Sequence, residues 1–251
     1  MRFAGRLSRR NRRRSPRRRS ISGHSIRRKR KMTIGLDPGR TALLVIDMQN
    51  GFCHPEGGLA KAGQDNAPQV AVIPAVKELL RLARGAGIRV AWSKQVHFPE
   101  NRAREGRAAA SHLKKKPKGG SPICARGSRD VELVDGLAAE VAPDDEVIVK
   151  HKMSCFYNTR LDEVLRMWGV TGLILCGVST YVCVESTVRD AYFRDYDIVV
   201  VEDCVAGSIE RLHLDTLEKV RMYFGEVVTL KALEGLLTAG SAAHAALRGS
   251  E

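Results

Sequence analysis

The chain has 251 residues, 43% hydrophobic and 28% charged, with a formal net charge of +14. That is enough polypeptide for one α/β domain with a substantial core, and no apolar run approaches the roughly 20 residues of a membrane span. The excess charge is local: residues 1–32 hold 15 Lys/Arg and no Asp/Glu, leaving 27 basic against 28 acidic residues elsewhere, so it argues against a basic nucleic-acid-binding fold.

The first segment, residues 1–35, contains RRNRRRSPRRRSISGHSIRRKRK. It has almost no apolar content and strong self-repulsion, so disorder is expected. Three readings stay open: an over-extended start with Met32 as the initiator, a solvated or nucleic-acid-binding arm, or an Arg- and Ser-rich transit peptide. A nucleic-acid partner is expected only through this arm. The folded domain is expected over 36–240, followed by a C-terminal tail, 241–251.

From residue 41 short apolar runs alternate with amphipathic stretches. TALLVID (41–47) reads as a buried strand and 70–84 as a helix ended by Gly85 and Gly87. IRVAWS (88–93) is the second strand. The span 99–129 is basic, contains Gly and Pro, and breaks the rhythm; such inserts are binding loops, lids or disorder. EVIVK (146–150) is the third strand, 160–168 a helix stopped by Gly169, TGLILCGV (171–178) the fourth strand, and 182–194 a helix. DIVVVED (197–203) is the fifth strand, 212–223 a helix, 227–230 a short strand and 233–239 a last helix. Continuous Val/Ile/Leu runs separated by helices predict a single α/β domain with a parallel, Rossmann-like sheet of about six strands and helices on both faces.

In such sheets ligands bind beyond the carboxyl ends of the strands. Asp47 ends the first strand, Lys150 ends the third, and Cys183 follows the fourth at the start of a helix. Singly, each has an ordinary explanation: a capping Asp, a solvated Lys, a small core Cys. Their convergence on one sheet edge is what suggests chemistry. A helix start and a nearby Lys would lower the thiol pKa. Asp47 can accept the thiol proton and later activate water, while Lys150 stabilises negative charge. Backbone N–H groups of the Ser179–Cys183 turn can bind an oxyanion.

At these residues the chain resembles the isochorismatase-like cysteine hydrolases. ALLVIDMQNGF (42–52), VIVKHKMSCFYNTRLDEVL (147–165) and CGVSTYVCVESTVRDAYFRDYDIVVVEDC (176–204) carry the resemblance. It implies the isochorismatase-like hydrolase fold, a catalytic set of Asp47, Lys150 and Cys183, and a cis peptide at Val178–Ser179, placing those two residues at the oxyanion end of the site. True isochorismatases cleave a vinyl ether and commonly lack this cysteine, so Cys183 favours amide chemistry through a thioester. Nicotinamidases carry a metal site with a D-W-H element; here Gln95 and Val96 replace Asp and Trp, with His54 and His97 remaining, so neither a metal nor another cofactor is expected. The segments 125–137, 156–159 and 183–193 look most like ureidoacrylate amidohydrolases, with biuret hydrolases and N-carbamoylsarcosine amidases as near relatives.

The substrate expected is therefore a small amide or ureide. Phe52, Trp92, His97, Tyr157 and Asn158 are candidates to shape its pocket. The resemblance implies a homo-oligomer. Six cysteines lack zinc spacing and no secretory apolar region accompanies them, so free thiols in a reducing cytoplasm are expected.

Overall fold

The computed structural model describes residues 36–97 and 123–238. The N-terminal segment 1–35, most of the basic insert and the C-terminal tail 241–251 lie outside the described residues. Six strands form one parallel sheet: β1 (Thr41–Ile46), β2 (Arg89–Gln95), β3 (Glu146–Lys150), β4 (Gly172–Val178), β5 (Asp197–Ala206) and β6 (Glu226–Val228), in the order β3-β2-β1-β4-β5-β6. This is the open, Rossmann-like α/β sheet that the apolar runs predict. Central β1 and β4 are buried along their whole length, which is why they read as unbroken apolar runs.

Short helical turns α1 (Asn50–Cys53), α2 (Gly58–Lys61) and α3 (Ala67–Ala71) precede α4 (Ile73–Gly85). Beyond β3 come α5 (Leu161–Met167), α6 (Glu185–Tyr192), α7 (Glu210–Lys219) and a final helix α8 at 230–238. Side chains alternate across a strand, so β1 feeds two cores. Leu43 and Val45 pack with Leu79 and Leu80 of α4 and Leu233 of α8, whereas Leu44 and Ile46 pack with Leu161, Val188 and Leu217 of α5, α6 and α7. On edge strand β3, Val147 and Val149 remain exposed.

Three expected boundaries shift for local reasons. The helix over 70–84 divides at Val72, because Pro74 has no N–H to continue a helix from Val70 but fits the first turn of a new one. Strand β5 runs on to Ala206 through a register shift, pairing Leu175 with Val200 but Gly177 with Val205. The helix expected from 182 begins instead as a wide, π-type turn over Thr180–Val184. No helix among the described residues is long and apolar enough to cross a membrane.

Two glycines carry different constraints. Gly87, at φ +75°, closes α4, with its N–H on Arg84 O and Ile88 N–H on Ala83 O. Gly177, at φ +109°, lies against Ile46 so closely that a Cβ would overlap its backbone carbonyl. Gly87→Ala, with open space around its Cβ, should cost about 1–2 kcal/mol. Gly177→Ala should cost more, about 3 kcal/mol or above, since strain and overlap add. Urea unfolding of the two variants checks the order; equal losses would contradict it.

Candidate active site

Strand order reverses between β1 and β4, opening a crevice at their carboxyl ends. Asp47 directly follows β1 and holds a positive φ of 52°, a sparsely populated conformation for a residue with a side chain. Lys150 is the last residue of β3, two strands away, in register with Gln95 of β2. Cys183 lies in the wide turn that carries β4 into α6. The Val178–Ser179 peptide before that turn is cis, as the resemblance implies.

The structure brings all three reactive side chains together. Lys150 Nζ stands 2.7 Å from Asp47 Oδ2, with both side chains fully buried. Ser93 Oγ donates to Asp47 Oδ1 at 2.6 Å. The ammonium also donates to Gln95 Oε1 at 2.9 Å, Lys152 O at 3.1 Å and Met153 O at 3.0 Å. A buried ion pair persists only when its remaining donors find partners, and here every N–H has an acceptor. Burial alone would push the Lys150 ammonium down; the Asp47 charge and hydrogen bond, with smaller contributions from Cys183 and Cys155, together reverse this and hold it above the ordinary lysine range. Gln95 is itself clamped, its N–H donating to Gln49 Oε1 at 2.8 Å and its carbonyl accepting Gln49 Nε2 at 3.0 Å.

The Cys183 thiol lies close enough to Asp47 and Lys150 to feel both charges. Burial pushes it well up; Lys150 opposes this, and the Asp47 charge adds to it. Lys150 therefore pulls the thiol pKa down as the sequence suggests, but desolvation outweighs it. Desolvation thus favours the neutral thiol. Its turn is held by Thr187 Oγ1, which donates to Cys183 O at 2.7 Å, and by a 2.9 Å hydrogen bond between Thr180 Oγ1 and His213 Nδ1.

Cys183 opens into a cleft of about 110 Å³ that Phe52, Gln95, His97, Lys152 and Ser179 help to line. This is room for roughly ten heavy atoms, at one water-sized sphere per 10–15 Å³. Phe52, His97 and Ser179, candidates from the sequence, are among these lining residues. Val178 packs its side chain in the core and is not among the residues lining the cleft.

Three pocket candidates are not among the residues lining this cleft. Trp92 is fully buried and donates Nε1 to Asp145 Oδ2 at 2.8 Å; strand alternation sends its neighbour Ser93 to Asp47 and Trp92 to the other face. Tyr157 is 49% exposed and Asn158, at φ +50°, sits in the exposed turn before α5. Sequence reasoning missed Ser93, Gln95, Gln49 and Lys152. The available signal was two polar residues at i and i+2, Ser93 and Gln95, at the carboxyl end of the second strand.

Among the described residues no group of three or more His, Cys, Asp or Glu is arranged to hold a metal ion. His54 Nδ1 accepts the Glu56 N–H at 3.0 Å. All six cysteines are free and buried.

Because Asp47 raises the thiol pKa, Asp47→Asn should move Cys183 titration to lower pH. Iodoacetamide labelling, read at Cys183 by peptide mass spectrometry, should rise only in the alkaline range for the wild type and at lower pH for the variant. An unchanged or upward shift would contradict this electrostatic coupling.

The sequence and fold are similar to those of known proteins. Ureidoacrylate amidohydrolase RutB of Methylobacterium radiotolerans is 38% identical over 222 residues, covering 84% of this chain and 85% of that protein. A cysteine hydrolase from Pseudomonas syringae pv. phaseolicola superimposes with a TM-score of 0.68 at 27% identity, covering 83% of this chain and 97% of that one. N-carbamoylsarcosine amidase from Thermoplasma acidophilum gives a TM-score of 0.61 at 28% identity, covering 76% of this chain and 96% of that one. Residues 41–232 match the isochorismatase domain, and the chain belongs to the isochorismatase family.

Proposed function

We propose that this protein is a cysteine hydrolase cleaving the C–N bond of a small ureide of the ureidoacrylate type, with Cys183 as nucleophile, Asp47 as general base and Lys150 as electrostatic support. The observation that carries this reading is the buried Asp47–Lys150 ion pair, whose charges act on the Cys183 thiol, with Cys183 lining a cleft sized for a small molecule. Its relation to an amidohydrolase and an amidase of carbamoyl compounds supports the substrate class.

The steps follow from the charges. The Asp47 carboxylate takes the thiol proton as sulfur attacks the carbamoyl carbon, so thiolate character develops only during attack. The carbonyl electrons move to oxygen, and backbone N–H groups of the Ser179–Cys183 turn hold the oxyanion. Collapse breaks the C–N bond, and the proton from Asp47 leaves with the amine or ammonia. What remains is a thioester (a thiocarbamate if the acyl group is carbamoyl). Asp47 then deprotonates water, which attacks that carbon and expels the Cys183 sulfur, restored as a thiol. Lys150 stays protonated throughout, keeping Asp47 ionised and offsetting the passing negative charge. Gln95, where a nicotinamidase-type metal site would have Asp, is committed to Lys150 and Gln49, which favours ureide over nicotinamide chemistry.

With 3-ureidoacrylate, released carbamate breaks down to ammonia and carbon dioxide, so ammonia release reports turnover. Cys183→Ala, Asp47→Asn and Lys150→Ala should each lower kcat by about a thousandfold or more. Cys155→Ala, altering a fully buried thiol that does not line the cleft, should stay within about tenfold. Circular dichroism confirms that each remains folded. Full turnover by Cys183→Ala would overturn the scheme.

A further inference from the structure

We infer that Lys152 binds a carboxylate on the substrate, so that the cleft selects ureido acids over uncharged ureides; this rests on the reading of the site as a carbamoyl hydrolase. Lys152 lines the same cleft as Cys183, and no Asp or Glu is among the described residues lining it. Lys152 is half-buried, and no ion pair or side-chain hydrogen bond holds its ammonium among the described residues. Lys150, the other nearby lysine, is spent on Asp47, Gln95 and two carbonyls, so it has no free N–H for a second anion. Among the described residues the cleft therefore offers a lysine ammonium with no protein partner and no opposing carboxylate.

The backbone under this cation is tied to the Asp47–Lys150 ion pair. Lys152 O accepts the Lys150 ammonium at 3.1 Å, so the ion pair that sets Asp47 also sets where the Lys152 side chain departs. Two functions thus share one short segment. Lys150 holds the base, and Lys152, two residues on, presents a charge to the substrate. A ureido acid places a carbamoyl carbonyl and a carboxylate a few bonds apart in roughly nine or ten heavy atoms, the size the cavity of about 110 Å³ admits. A partly desolvated cleft strengthens a charge-assisted hydrogen bond relative to open water. Binding energy from this remote end would hold the carbamoyl carbon against Cys183.

The test separates binding from turnover. In the Cys183→Ala background, calorimetry should measure 3-ureidoacrylate and its methyl ester against Lys152, Lys152→Met and Lys152→Arg. Lys152→Met should weaken the acid about tenfold to a hundredfold and leave the ester within about twofold. Lys152→Arg should keep most of the preference. Acid and ester weakened equally, or an unaffected acid, would overturn the assignment. Turnover by the enzyme with Cys183 intact judges the hydrolase reading independently. If neither compound is hydrolysed yet the acid preference depends on Lys152, the carboxylate site stands and the hydrolase reading fails. If the acid is hydrolysed with KM unchanged in Lys152→Met, the reverse holds.

Discussion

The buried ion pair between Asp47 and Lys150 is the constraint on which the site depends. Removing two charges from water costs several kcal/mol per ion, and no surface remains to solvate either group. The surrounding chain is arranged to offset that cost. Ser93 and Gln95 place polar atoms from β2 between the two charged strand ends, and the carbonyls of Lys152 and Met153 curl back onto the ammonium. Gln49 then locks Gln95 to the chain after β1 and to Val131 O. The parallel register of β1, β2 and β3 is thereby tied to a polar network as well as to apolar packing.

That network shapes the chemistry proposed for Cys183. With the thiol neutral, Asp47 ionised and Lys150 protonated, the three groups sum to zero charge, the cheapest arrangement in a low-dielectric pocket. Moving the proton from sulfur to Asp47 during attack preserves that sum while relocating negative charge to the reacting atoms. A thiol with a strongly depressed pKa would instead leave a second buried anion beside Asp47 at rest. In the proposed mechanism burial, which raises the thiol pKa, and Asp47, as the base that removes its proton, act as parts of one device.

Much of this was legible in the sequence. Strands β1 and β4 are fully buried, so their apolar runs gave unambiguous positions, and Asp47 and Lys150 stand out as charges ending such runs. The family pattern then singled out Cys183. Other features depend on geometry that no local pattern encodes. Whether Trp92 or Ser93 faces Asp47 is a question of strand parity, and only the β1–β2 register answers it. The break at Val72 follows from Pro74, a signal present but outweighed by helical periodicity. The direction of the Cys183 pKa shift required knowing how completely the sulfur is desolvated. Lys152 reads as an ordinary surface lysine until the cleft around it is known.

The central claim is that a covalent bond to Cys183 lies on the reaction path. Rapid acid quenching of the enzyme during its first turnover of 3-ureidoacrylate, followed by peptide mass spectrometry, tests it most directly. The mechanism predicts a transient acyl adduct on the peptide bearing Cys183, appearing within one turnover and vanishing when substrate is exhausted. Turnover with Cys183 unmodified throughout, or an adduct on Cys155 instead, would contradict it.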